Sequence, residues 1–304
     1  MGKRIFAFLA LNIVIVLTIS FILQLLHVGN YLKAYGLDYT SLAIFCLVWG
    51  MGGAFISLLL SRQMAKWMMK IHLIDPRSAD HQSLMLYKMV ADLAQKAHLP
   101  EIPQVGIFHS QTPNAFATGP SKRRSLVAVS TGLIQSLSQE ELEAVIGHEI
   151  SHIANGDMVT MTLLQGVVNA FVMFLARILA FALSGLGRGK DEKGGSYGSY
   201  MLFTFLFEMV FMIIGSMIVA YFSRRREFRA DAGSAELLGK EPMIHALTKL
   251  KMLHPTSLKA HATESPSMAA LMIIKSPNKR TFFELFSTHP PIDVRIAHLQ
   301  KLRT

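Results

Sequence analysis

Four stretches of the chain are apolar over lengths that match the hydrocarbon layer of a lipid bilayer. Ile5 to Leu26 carries no charged residue, and Leu42 to Leu60 has Ser57 as its one plainly polar side chain. Met158 to Leu186 and Met201 to Phe222 hold one charge each, Arg177 and Glu208. A helix of about 20 residues reaches about 30 Å, enough to cross. Inside the bilayer every backbone N–H and C=O must be bonded internally, so such segments cross as helices. For any one run the alternative is a buried core helix, and for the first an export signal. Lys3 and Arg4 precede that first run, but Leu25, Leu26 and His27 follow it with no small-x-small cleavage pattern, so it reads as an uncleaved anchor.

Composition agrees with membrane residence. Of the 304 residues 51% are hydrophobic and only 16% charged, against about 25% charged in an ordinary soluble domain. The formal net charge of +10 invites a nucleic-acid reading, but the positions of the basic residues argue against it. Arg62, Lys66 and Lys70 follow the second run, and Arg224, Arg225, Arg226 and Arg229 follow the fourth, where basic residues fix orientation and meet anionic lipid. No nucleic-acid partner is expected. Cys46 is the only cysteine, which excludes a disulfide within the chain and a cysteine-built metal site.

With Lys3 and Arg4 inside, the first two runs form an N-terminal transmembrane hairpin over residues 1–61. A second hairpin covers 158–222, and residues 62–157 and 223–304 lie together on the cytoplasmic side. In the first of these parts, Leu84, Met85, Tyr87, Met89, Val90 and Leu93 recur at helical spacing between Asp80 and Ala97. Val105–Phe108, Asn114–Thr118 and Leu126–Ser130 read as strands of a small sheet. Ser138 and Glu141 then form a Ser-x-x-Glu capping box that launches a helix running through His152 to a stop at Asn155 and Gly156, with Asp157 placed to cap the next. In the last part, helices are predicted over Glu227–Leu238, Pro242–Leu253, Ser267–Ile274 and Ile292–Leu299. Within the second hairpin, Arg177 lies eight residues before Gly185 and Glu208 nine after Ser199, similar depths in an antiparallel pair. Pairing lowers the penalty of each charge in lipid, so an Arg177–Glu208 pair is expected, the alternative being separate snorkelling.

The capped helix carries His148-Glu149-Ile150-Ser151-His152. At 3.6 residues per turn the two imidazoles share one face and can reach a single Zn²⁺, while Glu149 projects about 100° round the helix, beside the ion. A carboxylate there can take a proton from the attacking water and deliver it to a leaving amine. An ordinary amphipathic helix with two histidines is the competing reading. A catalytic zinc needs a third protein ligand and an open position. Six residues after His152 stands Met158, so the ligand comes from elsewhere. Glu227 and Asp231 share a helix face just beyond the fourth run; Glu227 as ligand and Asp231 as acceptor for a ligand imidazole is the favoured arrangement. A solvated face, with both carboxylates paired to Arg224–Arg229, is the alternative.

HEISHIANGD at 148–157, EFRAD at 227–231, NAFATG at 114–119 and THPPIDVRI at 288–296 together resemble the M48 zinc metallopeptidases, in this order and over essentially the whole chain. The resemblance implies a mostly α membrane protein with four transmembrane helices and a cytoplasmic zincin-like α+β metalloprotease domain carrying a small sheet. It implies one catalytic Zn²⁺ on His148, His152 and Glu227, Glu149 as general base, and Asp231 as the supporting acid. It gives Asn114–Gly119 the part of a substrate-facing edge strand. His289 or Arg295 is expected to steady the developing oxyanion or the Asp231 network, with His289 taken as catalytic. The implied activity is that of a zinc metalloendopeptidase of the bacterial inner membrane. It would act in the stress response on unfolded or misassembled membrane proteins, with its active site facing the cytoplasm. Two other functions compete. In an intramembrane protease the motif would lie inside a span, but Glu140, Glu141 and Glu143 make that segment too charged. A non-proteolytic scaffold or binding module with a structural zinc site would have no need of Glu149.

Overall fold

The computed structural model describes residues 38–77, 79–184, 197–261 and 285–302. The first apolar run and the helix predicted over Ser267–Ile274 lie outside these residues. In order, the described elements are α1 (Tyr39–Met68), β1 (His72–Leu73), α2 (His81–Lys96), β2 (Gln104–Phe108), β3 (Ala115–Thr118), β4 (Leu126–Ser130), α3 (Thr131–Ser136), α4 (Gln139–Asn155), α5 (Asp157–Ser184), α6 (Tyr197–Leu238), α7 (Lys240–His261) and α8 (Ile292–Lys301). Three of the described helices, α1, α5 and α6, are long and apolar enough to cross a membrane. The protein is a mostly helical, multi-pass membrane protein with an α+β metal-binding domain. The described residues separate into two compact units, those within 1–57 and 160–219 and those within 58–159 and 220–304.

In the first unit the helices approach closely through glycine. A Cβ at Gly50 would stand 2.6 Å from the Ala170 backbone nitrogen, and one at Gly166 would stand 2.7 Å from the Met51 sulfur. Small residues bring helix backbones together where no water is displaced to drive association. Cys46, Phe174 and Ile178 form a small buried cluster beside this contact. The expected ion pair is present: Arg177 Nη1 donates to Glu208 Oε1 at 2.7 Å.

The second unit is built on a four-stranded sheet of order β1-β2-β4-β3, with β2 and β4 parallel and the two outer pairs antiparallel. The strand Leu126–Ser130 is buried along its whole length, and its continuous apolar sequence follows from having both faces covered. Val127 and Val129 join Leu93, Val105, Ile146, Ile150, Leu247 and Leu299 in the main core. On the opposite face Leu126 and Ala128 pack with Ile71 and Phe108. Truncating one of these large side chains to alanine removes about 2–5 kcal/mol.

Three differences from the sequence reading have local causes. The helix expected to begin at Glu227 is continuous with the preceding span as α6, because Ser223 and three arginines separate them with no glycine or proline to break the ladder. The helix expected to end at Leu253 runs on to His261. β1 and α3 are too short to leave a periodic signature; α3 is held instead by Ser130, whose side chain accepts from Leu133 N–H.

Candidate metal centre

The helix α4 begins with the capping box read from the sequence. Ser138 Oγ accepts from Glu141 N–H at 3.3 Å and the Glu141 carboxylate accepts from Ser138 N–H at 2.7 Å. Burial works against the charge on Glu141, but the Ser138 N–H and Lys249 hold its carboxyl below the usual range. Gly156 closes the helix in the left-handed region at φ 66°, with its N–H directed back at the carbonyls of His152 and Ile153. Lys122, from the turn before β4, donates to the Ala154 carbonyl near the same end. One side of α4 packs on the core through Ile146, Ile150 and Ile153, and the next presents His148 and His152.

Glu227 comes from α6, which crosses α4 at very short range. A Cβ at Gly233 would stand 2.5 Å from Ser151 Oγ, and one at Gly147 would stand 2.9 Å from Ser234 Oγ. The two serines bond to carbonyls of α4, Ser151 to Gly147 and Ser234 to Ala144, each at 2.7 Å. This crossing brings His148, His152 and Glu227 together so that one ligand atom from each lies within 4.8 Å of the others, with all three residues buried.

The donor set fits zinc. His148 Nδ1 faces Asp231 Oδ1 at 2.9 Å and His152 Nδ1 faces Asp157 Oδ2 at 2.7 Å. A carboxylate on each Nδ1 keeps the proton there and turns the Nε2 lone pair inward. The two Nε2 atoms are then only 3.1 Å apart, and 3.5 and 3.3 Å from the Glu227 carboxylate. Lone pairs converge in this way around a cation. The surroundings favour positive charge as well: burial opposes protonation of His148, yet its bonds to Asp231 and Glu227 outweigh that and push it up to about 9.

A second layer of charge holds the ligands. Arg295, 4% exposed, donates to both oxygens of Asp231, from Nε at 2.9 Å and from Nη2 at 2.6 Å. Burial would weaken its charge, but Asp231 keeps it a cation above its ordinary range. The fork matches the planar carboxylate and fixes it against the His148 ring. His289 Nδ1 lies 2.7 Å from Glu227 Oε2, so this histidine meets the ligand carboxylate, while Arg295 is the residue on Asp231. Arg226 Nη2 donates to the other oxygen of Glu227 at 3.3 Å. Glu149 is half-buried, and among the described residues its carboxylate has no hydrogen-bond partner. Sequence reasoning missed Asp157 as a partner of His152, for which the spacing of the two across a glycine that reverses the chain was the available signal. The Arg226–Glu227 contact belongs to the alternative that paired both carboxylates with Arg224–Arg229, but Glu227 and Asp231 are buried, not on a solvated face.

Fold and site together define a membrane-embedded zinc metallopeptidase. The chain belongs to peptidase family M48, whose family model matches residues 80–303. It is 48% identical to a "Protease HtpX homolog" of Variovorax paradoxus over 99% of this chain and 100% of the relative. Proteins of the same description from Methylacidiphilum infernorum and Chlorobium phaeovibrioides are 44% and 46% identical, again over 99% of this chain. Among solved structures, the crystal structure of S. mikatae Ste24p shares the fold, with a TM-score of 0.58 at 16% identity over 94% of this chain and 67% of that one.

Proposed function

We propose that this zinc endopeptidase cleaves misfolded or damaged membrane proteins at the cytoplasmic face of a bacterial inner membrane, as proteolytic quality control. The convergence of His148, His152 and Glu227 beside a half-exposed, uncommitted Glu149 carries the reading. The curated relatives are named proteases, and the identity spans their full length, which supports the same activity here. Basic residues after the second and fourth apolar runs favour a four-span chain with residues 62–157 and 223–304 inside.

When bound, zinc supplies Lewis acidity toward a water and the scissile carbonyl. Glu149 takes the proton of the attacking water and passes it to the leaving amine nitrogen. Asp231 and Asp157 hold the two imidazoles in the tautomer that presents Nε2. His289 fixes the orientation of the Glu227 carboxylate from its half-buried position, near enough to the ligands to meet the developing oxyanion. β3 is the edge of the sheet and packs on α4, so its free side offers backbone groups to an extended peptide. Such pairing reads backbone and tolerates varied sequence, as a protease of damaged proteins requires.

The test is Glu149→Gln in the full chain. Proteolysis of an unfolded protein is expected to fall by about 10²–10⁴-fold while one zinc per chain is retained. Unchanged cleavage would remove Glu149 from the mechanism. Loss of the metal together with the fold would favour a structural zinc in a binding module.

A further inference from the structure

The ion pair in the first unit is incompletely satisfied. Arg177 uses only Nη1, donating to Glu208 Oε1 at 2.7 Å and to the Met173 carbonyl at 3.0 Å. Among the described residues Nε and Nη2 of Arg177 and Oε2 of Glu208 have no partner, and the two side chains are 22% and 31% exposed. One helical turn before Glu208, on the same side of α6, Thr204 is 7% exposed, and among the described residues its hydroxyl has no partner. Unbonded polar groups are heavily penalised in hydrocarbon. A pair that served only to staple two helices would do better as a bidentate fork, or as apolar residues of similar size.

We propose that Arg177, Glu208 and Thr204 form an intramembrane recognition site for a carboxamide side chain, Asn or Gln, carried in mid-membrane by a substrate's transmembrane helix. The inference rests on the quality-control reading above and names the feature by which a substrate is recognised. The free groups are donors on Arg177 and Thr204 and an acceptor on Glu208, so the ligand must both accept and donate. A carboxamide does both. A phosphate headgroup only accepts and is repelled by Glu208. Arg177 also lies seven residues before the end of α5 at Ser184, roughly 10 Å along the helix, which is deep for a headgroup. In an assembled membrane protein an interhelical Asn or Gln is bonded to its neighbour; in an orphaned subunit it is free to be captured.

The experiment uses full-length, zinc-loaded Glu149→Gln protein in liposomes. Its association with a single-span reporter, bearing Asn or Leu at the helix midpoint above one unfolded cytosolic tail, is followed by energy transfer. The Asn reporter is expected to associate about 3- to 10-fold more tightly than the Leu reporter. Adding Arg177→Leu with Glu208→Leu is expected to erase the difference without changing association of the Leu reporter, and the milder Thr204→Val to narrow it. Equal association of the two reporters, or a preference that survives in the double variant, overturns the proposal. So does a preference that follows the anionic-lipid content and not the Asn. Cleavage of a soluble unfolded protein, measured with Glu149 restored, is expected to be the same with and without the two leucines. Should the native chain cleave no polypeptide, the quality-control reading fails, while the association measurement still decides the site.

Discussion

Asp157 is 1% exposed and directs its carboxylate at His152 Nδ1, 2.7 Å away, with Arg229 3.6 Å from its other oxygen. Asp231 does the same for His148 under the grip of Arg295. The two ligand imidazoles are therefore oriented by separate acids, one on each side of the centre. Replacing Asp157 with Asn keeps the shape but removes the charge that holds the His152 proton on Nδ1. The expected result is a zinc affinity lower by about 10–100-fold, measured by competition with a chromophoric chelator, with proteolysis recovering at excess zinc. Affinity equal to the parent's would leave Asp157 a packing role only. That Asp157 matters to the metal was hidden in the sequence because an Asp after Asn-Gly reads equally well as the cap of the next helix.

At the scale of elements, the centre depends on how α4 starts and how closely α6 crosses it. The folded carboxyl of Glu141 titrates below its ordinary value of 4.5, so its contribution is fully present above that value and is lost as pH falls through the lower folded one. Glu141→Gln is expected to be less stable than the parent by about 1 kcal/mol at neutral pH, with the gap closing in acid, as read by denaturant titration in detergent. A gap that stays constant with pH would show that the charge contributes nothing. At the crossing, Gly233→Ala places a methyl 2.5 Å from Ser151 Oγ, and α6 must move away. A stability loss of about 1–3 kcal/mol is expected, with weakened zinc binding, and partial recovery of both when Ser151→Gly is added. If the second change restores nothing, the clash is not the cause. The capping box was legible because its four residues are contiguous; the glycine–serine crossing was not, since Gly233 and Ser151 meet only when two distant helices pack.

For the molecule as a whole, a four-span chain places the turn between the third and fourth apolar runs outside. Ser196→Cys, made in a chain whose own Cys46 is buried, is expected to react with a membrane-impermeant maleimide added to intact cells. Labelling only after lysis would mean that α5 and α6 form a helical pair that does not cross. Residue spacing and composition alone determined the apolar runs, the capped helix, the histidine pair with Glu149 between, and the candidacy of Glu227 and Asp231, because each is a property of neighbours along the chain. The tertiary structure decided the rest. It joined the fourth run and the third ligand in a single helix, and it set β1 beside β2 and β3 at the outer edge of the sheet. It also put His289 on Glu227 and Arg295 on Asp231 across 62 and 64 positions of sequence. Such pairings depend on which buried charges the fold leaves facing each other, and burial is settled only when every element has found its neighbours.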